Sequence, residues 1–555
     1  MGLTGSKAAW ILALILFAAA HPPAIAQSAR VEGIAVNGAT GEPIVGVEIR
    51  LGERPDKSND KVMGPFVRTV TGQDGRFVFN DARASHYFLY SDAVGYLRNY
   101  LVQNGRGGSE FDLHAGETRF FRLILLPEGS ISGQVFDETG QPIAGVDVFA
   151  VREDSSFGRR YIEHYQYWGG SSGTATGKTG EFRIGELGPV NYFIVASLDP
   201  VKKVADSLLK KGYVPAYYPD SPTLATAMIL CMGAGEQRKI DFRLVPRPTY
   251  KVRGRLKLPT DFKSSFEPLW GLRRDDGEYI GHWTEESYDH KTSEFTIESL
   301  PSGSYSLEIK TGIYDSDLTA SESFTITSAD VNDLVLSMHP IFSLRAKVHL
   351  PEGFHSSTPY SVLFNLERDG TERMIEAGQP VTKDGGVDFN HLCRGHYRLF
   401  LFTEDPVYIK SARFGDQDVL ANGVLIDGPS SAILDITLAS AKGQVRGTVS
   451  GDNGALVARA DVKLIVQGED APYVLKSVNA DDEGRFALTG IPPGKYRIVA
   501  LDGAVRDWEF GSFEFDQVKQ WSKELQVGDV AIPALELKGT NLRYPASLCG
   551  AASQR

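Results

Sequence analysis

Three His-x-x-Glu tetrads stand in this chain: His114 with Glu117, His282 with Glu285, and His349 with Glu352. Imidazole and carboxylate are ligand types of a hydrolytic zinc site, which needs a third protein ligand and an open position. On a strand, residues three apart point to opposite faces, so such a pair does not chelate. The first tetrad also has a copy without its histidine: Ala115-Gly116-Glu117-Thr118-Arg119 returns as Ala234-Gly235-Glu236-Gln237-Arg238. Both read as turns ahead of a closing strand. His391 and His396 flank another turn, with no third or fourth ligand evident. Gly169 and Gly173 have the spacing of a nucleophile elbow around Ser171, but no helix follows this Gly/Ser-rich connection. Gly177-Lys178-Thr179 resembles the end of a phosphate loop whose leading glycine is missing, because position 172 is serine. Acidic turns at 56–60 and at Asp481-Asp482-Glu483 bind calcium only if several oxygens converge; solvated turn carboxylates are the simpler reading. No catalytic residue, metal ligand or cofactor is assigned.

One segment is chemically unusual. Tyr161, His164, Tyr165, Tyr167 and Trp168 crowd a connection that ends in Gly169-Gly170. Tyrosine and tryptophan present flat apolar bodies with polar tips and suit recognition of a sugar or peptide face. Tyr161, Tyr165, Tyr167 and Trp168 are therefore candidate ligand contacts. The competing reading is a half-buried strand, with one parity of these residues lining a core.

The elements that position these residues follow from a repeat. A step of ten residues to a tyrosine recurs five times: Phe77 to Tyr87, Phe182 to Tyr192, Phe295 to Tyr305, Val387 to Tyr397 and Phe486 to Tyr496. A short strand with a small central residue opens each copy, at Gly33, Gly133, Gly254, Ala346 and Gly447. A period near one hundred residues means a tandem array of small domains. Alternation on both sides of the step predicts an antiparallel hairpin with one buried face. A lone sheet leaves its apolar face uncovered, so each copy is expected to be a β-sandwich of about seven strands. The expected fold is all-β, a tandem array of about five transthyretin-like antiparallel sandwiches. Their expected bounds are 27–127, 128–248, 249–340, 341–441 and 442–540, with a C-terminal tail at 541–555. Tyr496 is expected to be buried, its hydroxyl satisfied near Pro492-Pro493. The best short helical candidates are 204–211 and 221–230.

Residues 1–26 read as an export signal: Lys7, an apolar run at 10–20, then Ala24-Ile25-Ala26 as a small-x-small cleavage site. No later apolar run is long enough to span a bilayer. The chain is expected to be exported, to the periplasm, the cell surface or the medium. Its net charge of −12 disfavours nucleic acid and anionic membrane as partners. Cys231, Cys393 and Cys549 lie in different parts of the array, so a disulfide within one domain is not expected. Cys549, near the terminus, could pair between chains.

The motifs V-x-G-x-V, P-[LI]-x-G-V, D-x-x-G-x-F and L-P-P-G-x-Y together resemble the carboxypeptidase regulatory-like domain. The clearest copy reads Glu483-Gly484-Arg485-Phe486, then Ile491-Pro492-Pro493-Gly494-Lys495-Tyr496. The match is best in the first, second and fifth copies. The resemblance implies a transthyretin-like sandwich and an accessory role; it implies no peptidase activity in a chain lacking the catalytic domain. The leading expectation is a non-catalytic exported scaffold or adhesion-type protein. The alternatives are binding of an extracellular glycan or peptide through the aromatic segment, and service as accessory subunit of a secreted hydrolase.

Overall fold

The computed structural model describes residues 28–540 apart from 54–65, 98–109, 157–158, 165–172, 199–210, 263–265, 276–284, 313–317, 355–361, 369–378, 383, 404, 459, 469–471, 502–514, 516–517 and 529–531. The export signal at 1–26, the tail at 541–555 and the helical candidate at 204–211 lie outside the described residues. The chain divides into two compact units, Met1–Leu126 and Pro127–Arg555.

In the first unit, β1 (Ala29–Asn37), β2 (Glu48–Glu53), β3 (Phe66–Val70), β4 (Arg76–Ala82), β5 (Ser85–Asp92), β6 (Glu110–Leu113) and β7 (Thr118–Leu125) form two sheets, ordered β4-β1-β7 and β3-β2-β5-β6. Alternate residues of β1 and β4 are buried, as are Leu51, Tyr87 and Leu89 from the other sheet. The two apolar faces close on one core that includes Val31, Phe77, Phe121, Ile49, Tyr87 and Phe111. This is the layered solution to a sheet that is apolar on one side. β1 pairs antiparallel with β4 and parallel with β7.

The same pairing recurs through the second unit, although in the fifth copy the last strand, Leu535–Thr540, also pairs with Gly494–Leu501 and joins the strands into one sheet. The opening strands Gly129–Phe136, Tyr250–Lys257, Phe342–His349 and Gly443–Ser450 each pair antiparallel with the strand that carries the Phe or Val of the step. Each also pairs parallel with the closing strand of its copy. The small residue and the step residue are direct cross-strand partners: Gly33 with Phe77, Gly133 with Phe182, Gly254 with Phe295, Gly447 with Phe486. A Cβ at Gly254 would stand 2.5 Å from Phe295 Cζ and 2.3 Å from the Leu334 carbonyl oxygen. The ring lies over the glycine. In the fourth copy the pair is Ala346 with Val387, a methyl added on one side and a ring lost on the other.

The expected hairpin across the step of ten is not formed. β4 pairs with β1, whereas β5 pairs with β2 and β6, so the step carries the chain from one sheet to the other. The crossing has a local cause. Six residues before each tyrosine, the backbone turns left-handed: Asp81 (φ 60), Glu186 (φ 56), Ser299 (φ 65), His391 (φ 57) and Gly490 (φ 67). A single left-handed residue breaks the register of the ladder and re-aims the chain. Each of these sites coincides with a register shift against the opening strand. The tyrosine then fastens the corner. The hydroxyls of Tyr305, Tyr397 and Tyr496 donate to the carbonyls four residues earlier, at Pro301, Cys393 and Pro492, over 2.7–2.8 Å. In the first copy Arg83 N–H donates to the Tyr87 hydroxyl at 3.1 Å. Tyr496 is buried as expected.

The second helical candidate is a single 3-10 turn, Leu224–Thr226; the rest of 221–230 is extended or bent. Residues from the second and third copies share one buried cluster, in which Val151, Val195 and Tyr217 join Leu272, Phe295 and Leu318. Arg274 donates to the Pro222 carbonyl at 2.9 Å, and its guanidinium sits 5.9 Å from the Tyr217 ring centre.

Candidate functional site

Tyr161 lies on the strand Arg159–His164, opposite Asp154 of the strand Asp147–Ser156. Residues 147–151 of that long strand pair with Phe193–Ser197, inside the sheet. Beyond them the pairing runs on to Arg159–His164, so the two strands leave the sandwich as a two-stranded arm. Along the arm Arg159 stands opposite Ser156 at the far end, and His164 stands opposite Val151, where the long strand is still paired within the sheet. Tyr165, Tyr167 and Trp168 lie outside the described residues.

A second aromatic group stands on the outer face of the sheet β3-β2-β5-β6. On β5, Tyr87 and Leu89 point inward, so His86, Phe88 and Tyr90 share the opposite face. Their rings follow one another at 6.1 Å, and Phe66 on β3 meets Tyr90 edge-on at 5.7 Å. Phe66 reaches across because Gly52 lies beneath it: a Cβ there would come within 2.6 Å of its ring. Charged groups border the row. His86 Nδ1 is 3.0 Å from Asp112 Oδ1, Arg50 bonds Glu48, and Arg68 lies 3.7 Å from Glu48. The Arg50 hydrogen bond holds the Glu48 carboxyl below its ordinary range. Rings bordered by paired charges can make apolar and stacking contacts; they supply no nucleophile. The signal for this face was its outward parity, which carries aromatics where a solvated face carries polar residues.

The first tetrad is a turn closure. Contrary to a strand geometry, His114 and Glu117 do meet, with Nδ1 3.0 Å from Oε2, because they close the turn between β6 and β7. Glu117 also accepts from the His114 backbone N–H at 2.8 Å. Glu236 accepts from Gly233 N–H over the same 2.8 Å, with no histidine involved. Burial works to raise the Glu117 pKa, but these bonds and Arg119 bring it down. His349 pairs with Asp435 at 2.9 Å, and His396 with the Asn422 carbonyl at 2.6 Å. His391 is the left-handed corner residue. His282 lies outside the described residues. Asp481 Oδ1 accepts the N–H groups of Glu483 and Arg485, which makes it a turn-closing group; 56–60 lies outside the described residues. Gly177 N–H bonds the Glu181 carbonyl in the turn before Phe182. Among the described residues, no three His, Cys, Asp or Glu side chains are grouped to hold a metal ion.

The sequence of residues 130–208 matches the family model of the carboxypeptidase regulatory-like domain. Over these residues the second copy is similar to that domain. It spans Gly133, Phe182 and Tyr192, which define the repeat, and it includes the two-stranded arm. No curated protein matches the chain. Among solved structures, the minor pilin GBS52 of Streptococcus agalactiae is similar over 40% of this chain and 97% of its own, at 14% identity and a TM-score of 0.23. A streptococcal ancillary pilin is similar over 53% and 99%, at 15% identity and a TM-score of 0.19. The shaft pilin SpaA of Lactobacillus rhamnosus GG is similar over 40% and 98%, at 11% identity and 0.18. Likenesses at these TM-scores carry no argument. Among the described residues, no helix is long and apolar enough to cross a membrane. Within residues 130–208, the positions that recur elsewhere in the chain are those of core and corner.

Proposed function

We propose that this chain is a non-catalytic, exported scaffold or adhesion-type protein, built of five sandwich modules at 27–127, 128–248, 249–340, 341–441 and 442–540. One observation carries this reading: what recurs along the chain is packing. The glycine under a ring, the left-handed corner and the tyrosine hydroxyl on its backbone all hold sandwiches together. Among the described residues, His114 with Glu117, Asp481 and Gly177 serve as turn closures. The test is to assay the mature protein against peptide, ester and glycoside substrates. No turnover is expected, and turnover abolished by replacing His114 and Glu117 together would overturn the reading.

A second reading has its own support, the two-stranded arm on which Tyr161 stands and which the aromatic segment follows in sequence. In this reading Tyr161, Tyr165, Tyr167 and Trp168 contact an extracellular glycan or peptide. Glycan and peptide arrays probed with mature protein test it. A signal lost on deleting residues 159–173 supports recognition by the arm, and uniform silence leaves the scaffold alone.

A further inference from the structure

The third copy passes into the fourth within a few residues. Met338 is buried in the cluster shared by the second and third copies, and its backbone N–H donates to the Lys257 carbonyl at 2.9 Å. The short strand His339–Pro340 then pairs with Leu318 and Thr319 at the edge of a sheet of the third copy. Two residues after Pro340 the chain is already in the fourth copy, where Phe342 stands opposite Leu392. Arg394 follows Leu392 by two residues, in the corner that the Tyr397 hydroxyl fastens to Cys393. Its guanidinium lies 3.7 Å from Asp427, which follows the strand Val424–Ile426 paired with residues 395–397. The backbone thus sets His339, a half-buried side chain of the third copy, against the charged corner of the fourth.

We propose that this junction is an acid-sensitive joint, in which protonation of His339 loosens the fourth copy from the third. The charges around the ring give the direction. Thr319, the cross-strand partner of His339, is buried and carries no charge. Lys310 stands opposite Thr319 on the next strand. Side chains opposite one another across strands share a face, with Cβ atoms about 4.5–5.5 Å apart. Among the described residues, the charged groups about His339 are therefore two cations, Lys310 and Arg394, and one carboxylate, Asp427, which is largely exposed and already paired with Arg394. An imidazolium there adds a third cation to a half-buried site.

Burial pulls the His339 pKa below its ordinary 6.5, Arg394 pulls it further, and Asp427 works against both. The joined state therefore favours the neutral ring, whereas a separated junction opens His339 to water and takes up the proton at the ordinary pKa. Above pH ~6.5 neither state binds the proton, and the joint has its full strength. As the pH falls through that value the separated state is protonated first and the joint weakens; the loss is complete once the joined state is protonated too.

The experiment is amide hydrogen exchange on the full chain, read by mass spectrometry of the peptides that cover 318–320 and 338–342. It compares about pH 7.5 with about pH 5.5, the interval in which histidine titrates. Labelling times are scaled to cancel the intrinsic dependence of exchange on pH. Both peptides should lose protection at the lower pH, while those from the core strands Glu294–Leu300 and Leu434–Ser440 keep theirs. Glutamine stays uncharged, so His339→Gln should hold the same protection at both pH values. Arg394→Gln leaves His339 in place and removes a neighbouring cation, so its loss on acidification should be smaller than that of the unaltered protein. Protection that does not change with pH in the unaltered protein overturns the proposal. An acid loss that persists in His339→Gln also overturns it, by tracing the effect to another group. Should His339→Gln be open already at the higher pH, Arg394→Gln decides: an undiminished acid loss in that variant overturns the proposal, and a diminished one supports it.

Discussion

At the scale of single residues, the glycine under a ring is a tightly constrained position in the first, second, third and fifth sandwiches. Gly254→Ala sets a methyl against Phe295 and the Leu334 carbonyl, and the backbone oxygen has no rotamer to yield. The expected cost is about 3 kcal/mol, the upper end for overpacking, read from the midpoint of denaturant unfolding. The fourth copy offers the converse. Val387→Phe alone should destabilise, because Ala346 already holds the methyl where the ring must lie. Adding Ala346→Gly should recover at least about 1 kcal/mol of that loss. Additive effects in the double-mutant cycle would mean that the two residues do not share one space.

Tyr496 shows the corner at the same scale. Burial, with Tyr473 and Tyr408 nearby, pushes its hydroxyl up to about 12 from an ordinary 10.0. The protonated form is the one that donates to Pro492. The unfolded chain gives up this proton near pH 10 and the folded one later, so the contribution is complete below pH ~10 and is lost as the pH rises towards 12. Tyr496→Phe should cost about 1 kcal/mol at neutral pH and flatten the alkaline fall in stability of the fifth sandwich. An unchanged alkaline fall in the variant would place its cause elsewhere.

At the scale of elements, the turns before the closing strands are interchangeable. Glu117 and Glu236 close them in the same way, and only one has a histidine beside it. His114→Gly should leave stability within ~0.5 kcal/mol, whereas Glu117→Ala should lose about 1 kcal/mol by orphaning a backbone donor. A large loss from His114→Gly would show that the ring does more than decorate the turn. Elements were also where the sequence was hardest to read. Phe77, Tyr87 and their copies declared alternating strands, and the sandwich followed. Whether two such strands pair with each other or cross between sheets leaves the alternation unchanged. The deciding residue is the left-handed one, and only Gly490 advertises it; Asp81, Glu186, Ser299 and His391 hide the same backbone under ordinary side chains. The outer row on β5 was legible in principle, since His86, Phe88 and Tyr90 alternate with Tyr87 and Leu89. The inward parity accounted for the strand and drew attention from the other. Tyr161 could be placed only once the long strand and its arm were seen, because the sequence does not tell where a strand outruns its sheet.

At the scale of the whole molecule, the copies are not equally independent. Val195 and Tyr217 share a cluster with Leu272 and Phe295, and Arg274 ties the two copies further. Calorimetry should therefore show the second and third copies melting in one transition. Arg274→Ala should lower that transition and leave the first unit's melting unchanged. Separate transitions for the second and third copies in the unaltered protein would make the shared cluster too weak to couple them.

Each opening strand runs parallel to its own closing strand, side by side in one sheet. The chain therefore enters a sandwich at one end and leaves it at the other. Tension along the chain pulls these neighbours in opposite directions, and their whole ladder bears the strain together instead of opening rung by rung. β1 and β7 stay in register over eight residues, from Arg30 opposite Thr118 to Asn37 opposite Leu125, and the fifth copy's pair over four. Stretched from its termini, the chain should rupture the fifth sandwich at lower force than the first, an order that single-molecule extension of the mature protein would read directly. Equal or inverted forces would show that resistance is set outside this ladder.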